Sequence, residues 1–236
     1  MIEIKLIKNF PAEIIAVDEV GRGPLGGPVV IGAVKVHIDS AETLKSLLKF
    51  LKPRGIKDSK KLTSDDRLKV LKKLGISMNP YRDRGLVNLK GVDVHFITWD
   101  MCHETIDREN ILGASLLGMR EAGLHLSEGK KVETTVFIDG PHKLRWGKKT
   151  SPWTEIPLVK GDSKSLLIGL ASIIAKEKRD AHMREMHELY PQYGFAGHFG
   201  YPTKQHREAI KVHGPCPIHR KTFKGVKEFI GASAGA

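Results

Sequence analysis

The sequence is poor in cysteine, in long apolar runs and in aromatic residues. Its 236 residues include two cysteines, Cys102 and Cys216, too few for a disulfide-stabilised secreted scaffold. The most apolar run, LLIGLASIIA at 166–175, is shorter than the roughly 20 residues that a membrane-spanning helix needs. The opening MIEIKLIKNF carries Glu3 and lacks the uninterrupted apolar core of a signal peptide. These absences predict a soluble protein of the reducing cytoplasm.

Acidic residues are also scarce relative to basic ones. Lys and Arg total 39 against 27 Asp and Glu, a formal charge of +12, while 40% of the residues are hydrophobic. That apolar content is enough for a folded core, so the charge excess indicates a basic surface rather than disorder. Basic globular proteins commonly bind DNA, RNA or an acidic membrane face. On composition alone, a merely well-solvated surface is the alternative.

The hydrophobic pattern predicts an α/β layered fold. β-Branched runs at 14–17 and 29–36, separated by glycines and prolines, predict two strands with a tight connection. The weakly periodic segment 76–91 is predicted to be a loop. The other predicted elements are strands at 92–99, 134–139 and 155–159, helices at 62–74, 103–122 and 163–189, and smaller helices after Pro202 and Phe223.

Motifs for nucleotide binding are missing or lack their context. Gly21, Gly23 and Gly26 match G-x-G-x-x-G, but that fingerprint needs a helix to begin at the glycines. A predicted strand follows them instead. The sequence has no G-x-x-x-x-G-K-[ST] either. A Rossmann-type or P-loop nucleotide site is therefore not supported.

Four acidic residues stand where predicted strands end. Asp18 and Glu19 follow one apolar run, one residue before a glycine turn. Asp139 ends another run, and Asp162 lies beyond the strand at 155–159. Ligands of α/β sheets bind outside the carboxyl ends of strands, and Mg²⁺ and Mn²⁺ prefer oxygen ligands. Two such ions activate water and stabilise a leaving oxygen in phosphodiester hydrolysis. An acidic metal pocket on a basic surface is suited to cutting nucleic acid.

Two of these acids have ordinary alternatives. Asp162 is a suitable cap for the helix that follows it, and Asp139 before Gly-Pro is a common turn residue. The adjacent pair Asp18-Glu19 is harder to explain structurally, because charged residues that end an apolar strand beside a glycine turn more often form a site.

Several motifs, in order, resemble the type 2 ribonuclease H family, ribonuclease HII. The resemblance covers residues 14–225. It implies a ribonuclease H-like fold with a central mixed five-stranded sheet flanked by helices. It further implies a helical C-terminal segment, at about 190–230. The sequence itself shows no clean domain boundary, so we expect one catalytic domain over 1–236 that ends in a disordered tail at 231–236. The motifs are VDEVGRGPLGGPVV, KDSKKLT, ENIL, FIDG, VKGDS followed by ASIIAKEKRD, YGFAGHFGYPT and HGPCPIHRKTF.

The resemblance also implies an activity. Such enzymes hydrolyse the bond 5′ of a ribonucleotide in RNA–DNA hybrids or in duplex DNA, leaving a 3′-hydroxyl and a 5′-phosphate with two Mg²⁺ or Mn²⁺ ions. Asp18, Glu19, Asp139 and Asp162 match the four active-site acids. The first three match the usual metal ligands, and Asp162 completes the two-metal arrangement. We expect the protein to be a monomer that binds these duplexes. We do not expect it to bind a membrane.

Further motif residues match substrate contacts of that family. Gly21-Arg22-Gly23 matches the element that senses the 2′-hydroxyl, where glycines allow close backbone approach and Arg22 engages a phosphate. Tyr201 matches the tyrosine that packs on the sugar at the RNA–DNA junction. The alternative for Tyr201 is a half-buried aromatic residue. Ser59, Lys60 and Lys61 are expected on the phosphate backbone, with a solvated basic run as the alternative.

The sequence departs from the family at several places, and other interpretations remain to be tested. Phe199 stands where the family usually has Lys, and the loop 142–153 is long and combines basic residues with two tryptophans suited to stacking; a mobile solvated loop is the alternative. Ribonuclease HIII is one rival, although only about 13 residues precede the first predicted strand here. A non-catalytic relative is another, although all four acids are present. A zinc site at His213, Cys216 and His219 is a third.

Overall fold

The computed structural model describes residues 1–56, 62–77, 84–127 and 133–230. Its strands are β1 (Ala12–Val20), β2 (Val29–Ile38), β3 (Arg84–Leu89), β4 (Val92–Met101), β5 (Thr134–Asp139) and β6 (Thr154–Leu158). They form one mixed sheet in the order β3-β4-β2-β1-β5-β6. The pairs β3/β4, β4/β2 and β2/β1 are antiparallel, whereas β1/β5 and β5/β6 are parallel. The mixed sheet flanked by helices confirms the predicted fold class.

Helices cover both faces of this sheet. They are α1 (Ile2–Leu6), α2 (Ala41–Leu51), α3 (Ser64–Lys73), α4 (His103–Leu126), α5 (Gly161–Lys164), α6 (Leu166–Leu189), α7 (Phe195–His198) and α8 (Lys204–His213), with 3₁₀ turns at Lys52–Arg54, Pro191–Tyr193 and Lys227–Phe229. Side chains alternate along a strand. Ile14 and Ala16 of β1 therefore pack in the core with α6, whereas Ile15 and Val17 pack in the core with α4.

The expected number of strands was wrong, because the sheet has six strands rather than five. The additional strand, β3, lies inside the segment 76–91 that was predicted to be a loop. β3 is an edge strand with mostly exposed or half-buried residues, so it carries little of the apolar alternation that marks a strand. It pairs with β4 through a turn at Lys90 and Gly91, both with positive φ.

The predicted long helix at 163–189 is two helices. Ser165 has an extended backbone between α5 and α6, and its hydroxyl accepts a hydrogen bond from the backbone N–H of Ile168. The buried carboxylate of Glu3 accepts hydrogen bonds from the Ser165 hydroxyl and the Leu166 N–H at 2.9 and 2.7 Å. The chain segment that contains Asp162 is therefore fixed separately from the long helix.

The C-terminal part is helical, as expected, and packs its own apolar cluster around Leu25, Met183 and Phe195. The predicted tail at 231–236 lies outside the described residues. Among the helices of the described ranges, none combines the length and the apolar character that crossing a membrane demands.

Candidate active site

The first three acids lie at the ends of two neighbouring parallel strands. Asp18 and Glu19 are within the last three residues of β1, and Asp139 is the last residue of β5. Val17 of β1 lies opposite Ile138 of β5, so the next residue on each strand is an aspartate. This register brings Asp18 and Asp139 to the same edge of the sheet, as expected for a site at the carboxyl ends of strands.

Asp162 is joined to this edge through its neighbour in the chain. The N–H of Gly161 donates to Oδ1 of Asp139 at 2.6 Å, and Asp162 follows in α5, only 6% exposed. The long helix α6 is capped by Ser165. The alternative in which Asp162 caps that helix is therefore wrong.

Crowding and burial raise the proton affinity of the β1 acids. Burial, followed by the charges of Asp139 and Glu19, raises the pKa of Asp18 well above its usual value, although the Ser172 hydroxyl opposes the shift. Burial also raises the pKa of Glu19 to about 7; Asp139 adds to this rise, and Arg22 opposes it. The Arg22 guanidinium lies 3.2 Å from Oε1 of Glu19. One cation alone does not neutralise this group of carboxylates.

A cleft of about 470 Å³ opens at this edge. Its lining combines an acidic end with a glycine-rich end, and Tyr201 lies on the glycine-rich side: a Cβ built on Gly23 would lie 3.6 Å from Cε1 of Tyr201. Tyr201 is 41% exposed, so much of its ring remains accessible. The cleft is lined by Glu19, Val20, Gly21, Arg22, Gly23, Asp139, Ser172, Lys176 and Tyr201.

The chemistry of the acidic end fits a hard divalent cation. One oxygen of Asp18 accepts from the Glu19 N–H at 2.7 Å, while the other, Oδ2, is buried without a hydrogen-bond partner. Buried polar atoms without a partner are rare and call for an explanation such as an ion. Within the described ranges, no group of three or more His, Cys, Asp or Glu side chains is already arranged to hold a metal.

Two lining residues were not found by sequence reasoning. Ser172 and Lys176 lie four residues apart on α6, and such residues share one face of a helix. The preceding stretch of α6 is otherwise apolar and buried. A polar pair at this spacing on a buried helix was the available signal.

Two basic side chains lie beside Phe199, the position where the sequence predicts a departure from the family. Nζ of Lys176 lies 5.1 Å and Cζ of Arg184 lies 5.8 Å from the centroid of the Phe199 ring. These distances are typical of cation–π contacts. Positive charge is therefore present beside Phe199, two residues before Tyr201.

Ser59, Lys60 and Lys61 lie outside the described residues, and their expected phosphate contacts stay a prediction. The two residues that flank this segment, Ile56 and Leu62, contact α6 and α3. The carbonyl of Ile56 lies so close to Gly169 of α6 that a Cβ there would come within 2.8 Å of it. The carbonyl of Leu62 accepts from Arg67 at 2.7 Å.

The loop 142–153 and the proposed zinc residues have structural partners. Trp153 is buried against α4 and contacts Trp146 edge to face, and the Trp146 indole donates to Glu155, so Trp153 is not free to stack on a base. His219 accepts from the Cys216 N–H at 2.9 Å and lies 3.0 Å from His206. In the described part of the chain, His213, Cys216 and His219 form no metal-binding group.

Solved structures share this fold. Ribonuclease H2 of Pyrococcus horikoshii OT3 aligns with a TM-score of 0.61 at 24% identity, covering 92% of this chain and 96% of that one. Bst-RNase HIII in complex with Mn²⁺ aligns with a TM-score of 0.62 at 16% identity, covering 95% of this chain and 71% of that one. The RNase HII of Archaeoglobus fulgidus, in its complex with PCNA, aligns with a TM-score of 0.59 at 20% identity. The alignment covers 89% of this chain and 95% of that one. At such identities the likeness shows the fold.

Sequence comparison assigns the family. The model of the Ribonuclease HII family matches residues 15–226. Ribonuclease HII of Caldanaerobacter subterraneus subsp. tengcongensis is 42% identical over 224 residues, which cover 94% of this chain and 78% of that protein. Ribonuclease HII of Nitrosococcus oceani is 38% identical over 222 residues, covering 93% and 92%. Together with the acids at the strand ends, these matches show that the chain belongs to the ribonuclease HII family and is an endoribonuclease of the type 2 ribonuclease H class.

Proposed function

We propose that this enzyme hydrolyses the phosphodiester bond 5′ of ribonucleotides, both in RNA–DNA hybrids and at single ribonucleotides embedded in duplex DNA. The products are a 3′-hydroxyl and a 5′-phosphate. The reaction depends on two Mg²⁺ or Mn²⁺ ions. The Mn²⁺ present in the Bst-RNase HIII structure supports a divalent cation of this kind.

One observation carries the proposal: a single cleft is acidic at one end and rich in glycine and tyrosine at the other. Glu19 and Asp139 lie at the acidic end, and Gly21, Gly23 and Tyr201 lie at the other. A group that reads the sugar therefore adjoins a group suited to cations that act on the neighbouring phosphate. Cleavage next to a ribose needs this combination.

The residues of the acidic end would hold the cations. We assign Asp18, Glu19 and Asp139 as ligands, with Asp162 completing the set. When bound, the cations supply an activated water and stabilise the leaving oxygen. The buried Oδ2 of Asp18 and the raised pKa of Glu19 support this assignment, because both carboxylates gain from a positive partner.

The glycine-rich end would recognise the nucleotide. Gly21 and Gly23 carry no side chain, so the backbone approaches the sugar closely, and the 2′-hydroxyl both donates and accepts hydrogen bonds. Arg22 is exposed and engages a phosphate oxygen. Tyr201 packs against the sugar, and Lys176 beside it adds positive charge for the backbone.

The test is cleavage of three end-labelled duplexes: DNA with one ribonucleotide, an RNA–DNA hybrid and all-DNA. Each is incubated with Mg²⁺, Mn²⁺ or EDTA. We expect a metal-dependent cut immediately 5′ of the ribonucleotide, cutting of the hybrid, and an intact all-DNA duplex. Cutting of the hybrid alone would favour the ribonuclease HIII-like alternative. Binding without any cutting would contradict the proposal and favour the non-catalytic alternative.

A comparison of two variants tests whether the cleft is responsible for the cleavage. Asp139→Asn alters the acidic end, whereas Asp93→Asn changes an exposed aspartate near the start of β4, at the other end of the sheet. We expect only the first to lose activity. Equal activity of the two preparations would show that the cutting does not depend on Asp139.

A further inference from the structure

Two fully buried arginines, Arg179 and Arg220, lie beneath the glycine loop, defined here as residues 21–28. Burial of an arginine is costly unless its donors are satisfied. The hydrogen-bond partners of these guanidinium groups are backbone carbonyls, mostly of this loop. Their positive charge therefore meets an array of peptide dipoles.

Arg220 uses all five of its N–H donors on the loop. Nη2 donates to the carbonyls of Gly21 and Gly27 at 2.6 and 2.9 Å. Nη1 donates to Arg22 and Pro24 at 3.0 and 2.8 Å, and Nε donates to Gly27 at 3.1 Å. A guanidinium has five donors in a fixed planar fork. A lysine, with three donors on one atom, lacks the geometry to hold these four carbonyls at once.

These contacts fix the direction of two peptide planes in the cleft wall. In a trans peptide the C=O and the following N–H point in opposite directions. Because the carbonyls of Gly21 and Arg22 point to Arg220, the N–H groups of Arg22 and Gly23 point away from it. Successive N–H groups with a shared direction form a concave site for an anionic or hydroxyl oxygen.

We propose that Arg220 is a positioning residue for ribose recognition: it holds the Gly21 and Arg22 carbonyls so that the N–H groups of Arg22 and Gly23 face the ribonucleotide. This rests on the proposed function, in which residues 21–23 read the sugar. Arg220 does not touch the substrate. Its effect is on discrimination between ribose and deoxyribose rather than on general affinity for a duplex.

Arg179 supplies a matched comparison. It is equally buried, but it donates to Pro28 and Gly26, at the far end of the loop, at 3.1 and 3.2 Å, and to Phe199, outside the loop, at 3.0 Å. Its side chain also packs against Gly21, where a Cβ would come within 2.1 Å of Nε. A lysine at this position retains a methylene where Arg179 has Nε, so Arg179→Lys preserves that packing.

The experiment compares the wild type, Arg220→Lys and Arg179→Lys. Affinity is measured by anisotropy in EDTA for a labelled duplex with one ribonucleotide and for the same all-DNA duplex. We expect Arg220→Lys to reduce the preference for the ribonucleotide roughly tenfold, as expected for about one lost hydrogen bond of good geometry. Its affinity for all-DNA should stay within about twofold of wild type. Arg179→Lys should keep the preference.

The outcomes separate this inference from the proposed function. An unchanged preference in a folded Arg220→Lys variant, or an equal loss in both variants, would overturn the role of Arg220. A wild type with no preference would instead overturn the proposed reading of ribose by residues 21–23.

A second measurement needs no substitution. In ¹⁵N-labelled wild type, the amide signals of Arg22 and Gly23 should shift with the ribonucleotide duplex and not with all-DNA. Identical shifts with both duplexes would contradict the proposed direction of these N–H groups, even where Arg220→Lys fails to fold.

Discussion

The two ends of the cleft bury charge in opposite ways. At the acidic end, Asp18 and Asp139 repel each other, and one oxygen of Asp18 lacks a hydrogen-bond partner. At the glycine loop, every donor of Arg220 meets a carbonyl. Unpaired buried charge destabilises a fold, whereas satisfied buried charge fixes one geometry.

The contrast separates two tasks within one site. The acidic end is held in a state that a cation would stabilise, and the backbone of β1 and β5 prevents the carboxylates from moving far apart. The glycine loop is held in a single conformation before any substrate arrives. Cleavage therefore depends on the cations that bind at the acidic end. Recognition of the ribonucleotide depends on the conformation of the glycine loop. Substitutions in the two regions should have separable effects.

The largest effect is expected for Asp139→Asn. The amide still accepts the hydrogen bond from Gly161, so α5 should keep its place, but a charged metal ligand is lost. The cleavage rate should fall about a thousandfold or more, which corresponds to roughly 4 kcal/mol of transition-state stabilisation. Affinity for duplexes in EDTA should remain close to that of wild type. Single-turnover cleavage and anisotropy measure the two quantities.

The control for this prediction is Asp93→Asn, which should retain both rate and affinity. A folded Asp139→Asn variant that cleaves normally would remove Asp139 from the catalytic set. Loss of duplex affinity with the fold preserved would show that the acidic end also contributes to recognition, and the separation of the two regions would fail.

Tyr201→Ala should produce the complementary result. The ring lies beside Gly23, and we expect its packing against the sugar to contribute on the order of 1–3 kcal/mol, as base–aromatic stacking does. Preference for the single-ribonucleotide duplex over all-DNA should fall by about tenfold, while all-DNA affinity changes little. Competition binding with the two duplexes measures the ratio. Equal losses on both duplexes would make Tyr201 a general duplex contact, and Tyr190→Ala, at the C-terminal end of α6, provides an aromatic control.

The sequence was sufficient to predict the acids of the cleft but not the residues that support it. Asp18, Glu19 and Asp139 stand at strand ends, which apolar runs and glycines mark locally. Arg220 was not found, because its partners are carbonyls about 200 residues earlier in the chain, and carbonyls carry no sequence signal. Ser172 and Lys176 were missed because the apolar residues around them on α6 are typical of a helix in the hydrophobic core.

The fold shows the same division between local and long-range signals. β1 and β5 are buried on both faces and were predicted from their β-branched runs. β3 was missed, since an edge strand has one solvent-exposed face and depends on pairing with β4. Helix α2 was also not assigned, although its buried Leu44, Leu47, Leu48 and Leu51 follow helical spacing.

The smallest effect is expected in the pH dependence of stability. Behind Tyr201, the imidazoles of His206 and His219 share a 3.0 Å contact, and His206 also lies 3.0 Å from the Tyr201 carbonyl. Burial lowers the pKa of both histidines to about 4. The unfolded chain therefore binds protons between pH 6.5 and 4 that the folded chain does not, and this pair destabilises the protein as the pH falls through that range.

Glu19 changes the stability of the protein with pH in the opposite direction to the two histidines. Its pKa is raised by burial to about 7 from an ordinary value near 4.5, so the folded protein holds a proton that the unfolded chain has released between these values. Stability from this group increases as the pH falls from 7 to 4.5. In EDTA the acidic end and the histidine pair should therefore offset each other, and the free energy of unfolding of wild type should change little between pH 6.5 and 5.

Glu19→Gln should expose the histidine contribution. The amide removes the titration at the acidic end, so the variant should be more stable than wild type at pH 7.5 and should lose that advantage by pH 5, a relative change of about 2 kcal/mol. Urea unfolding in EDTA across this range gives the difference directly. Glu42→Gln, at an exposed position of α2, should follow the wild-type curve. Parallel curves for wild type and Glu19→Gln would mean that Glu19 ionises normally, and the contrast between the two ends of the cleft would rest on Asp18 and Asp139 alone.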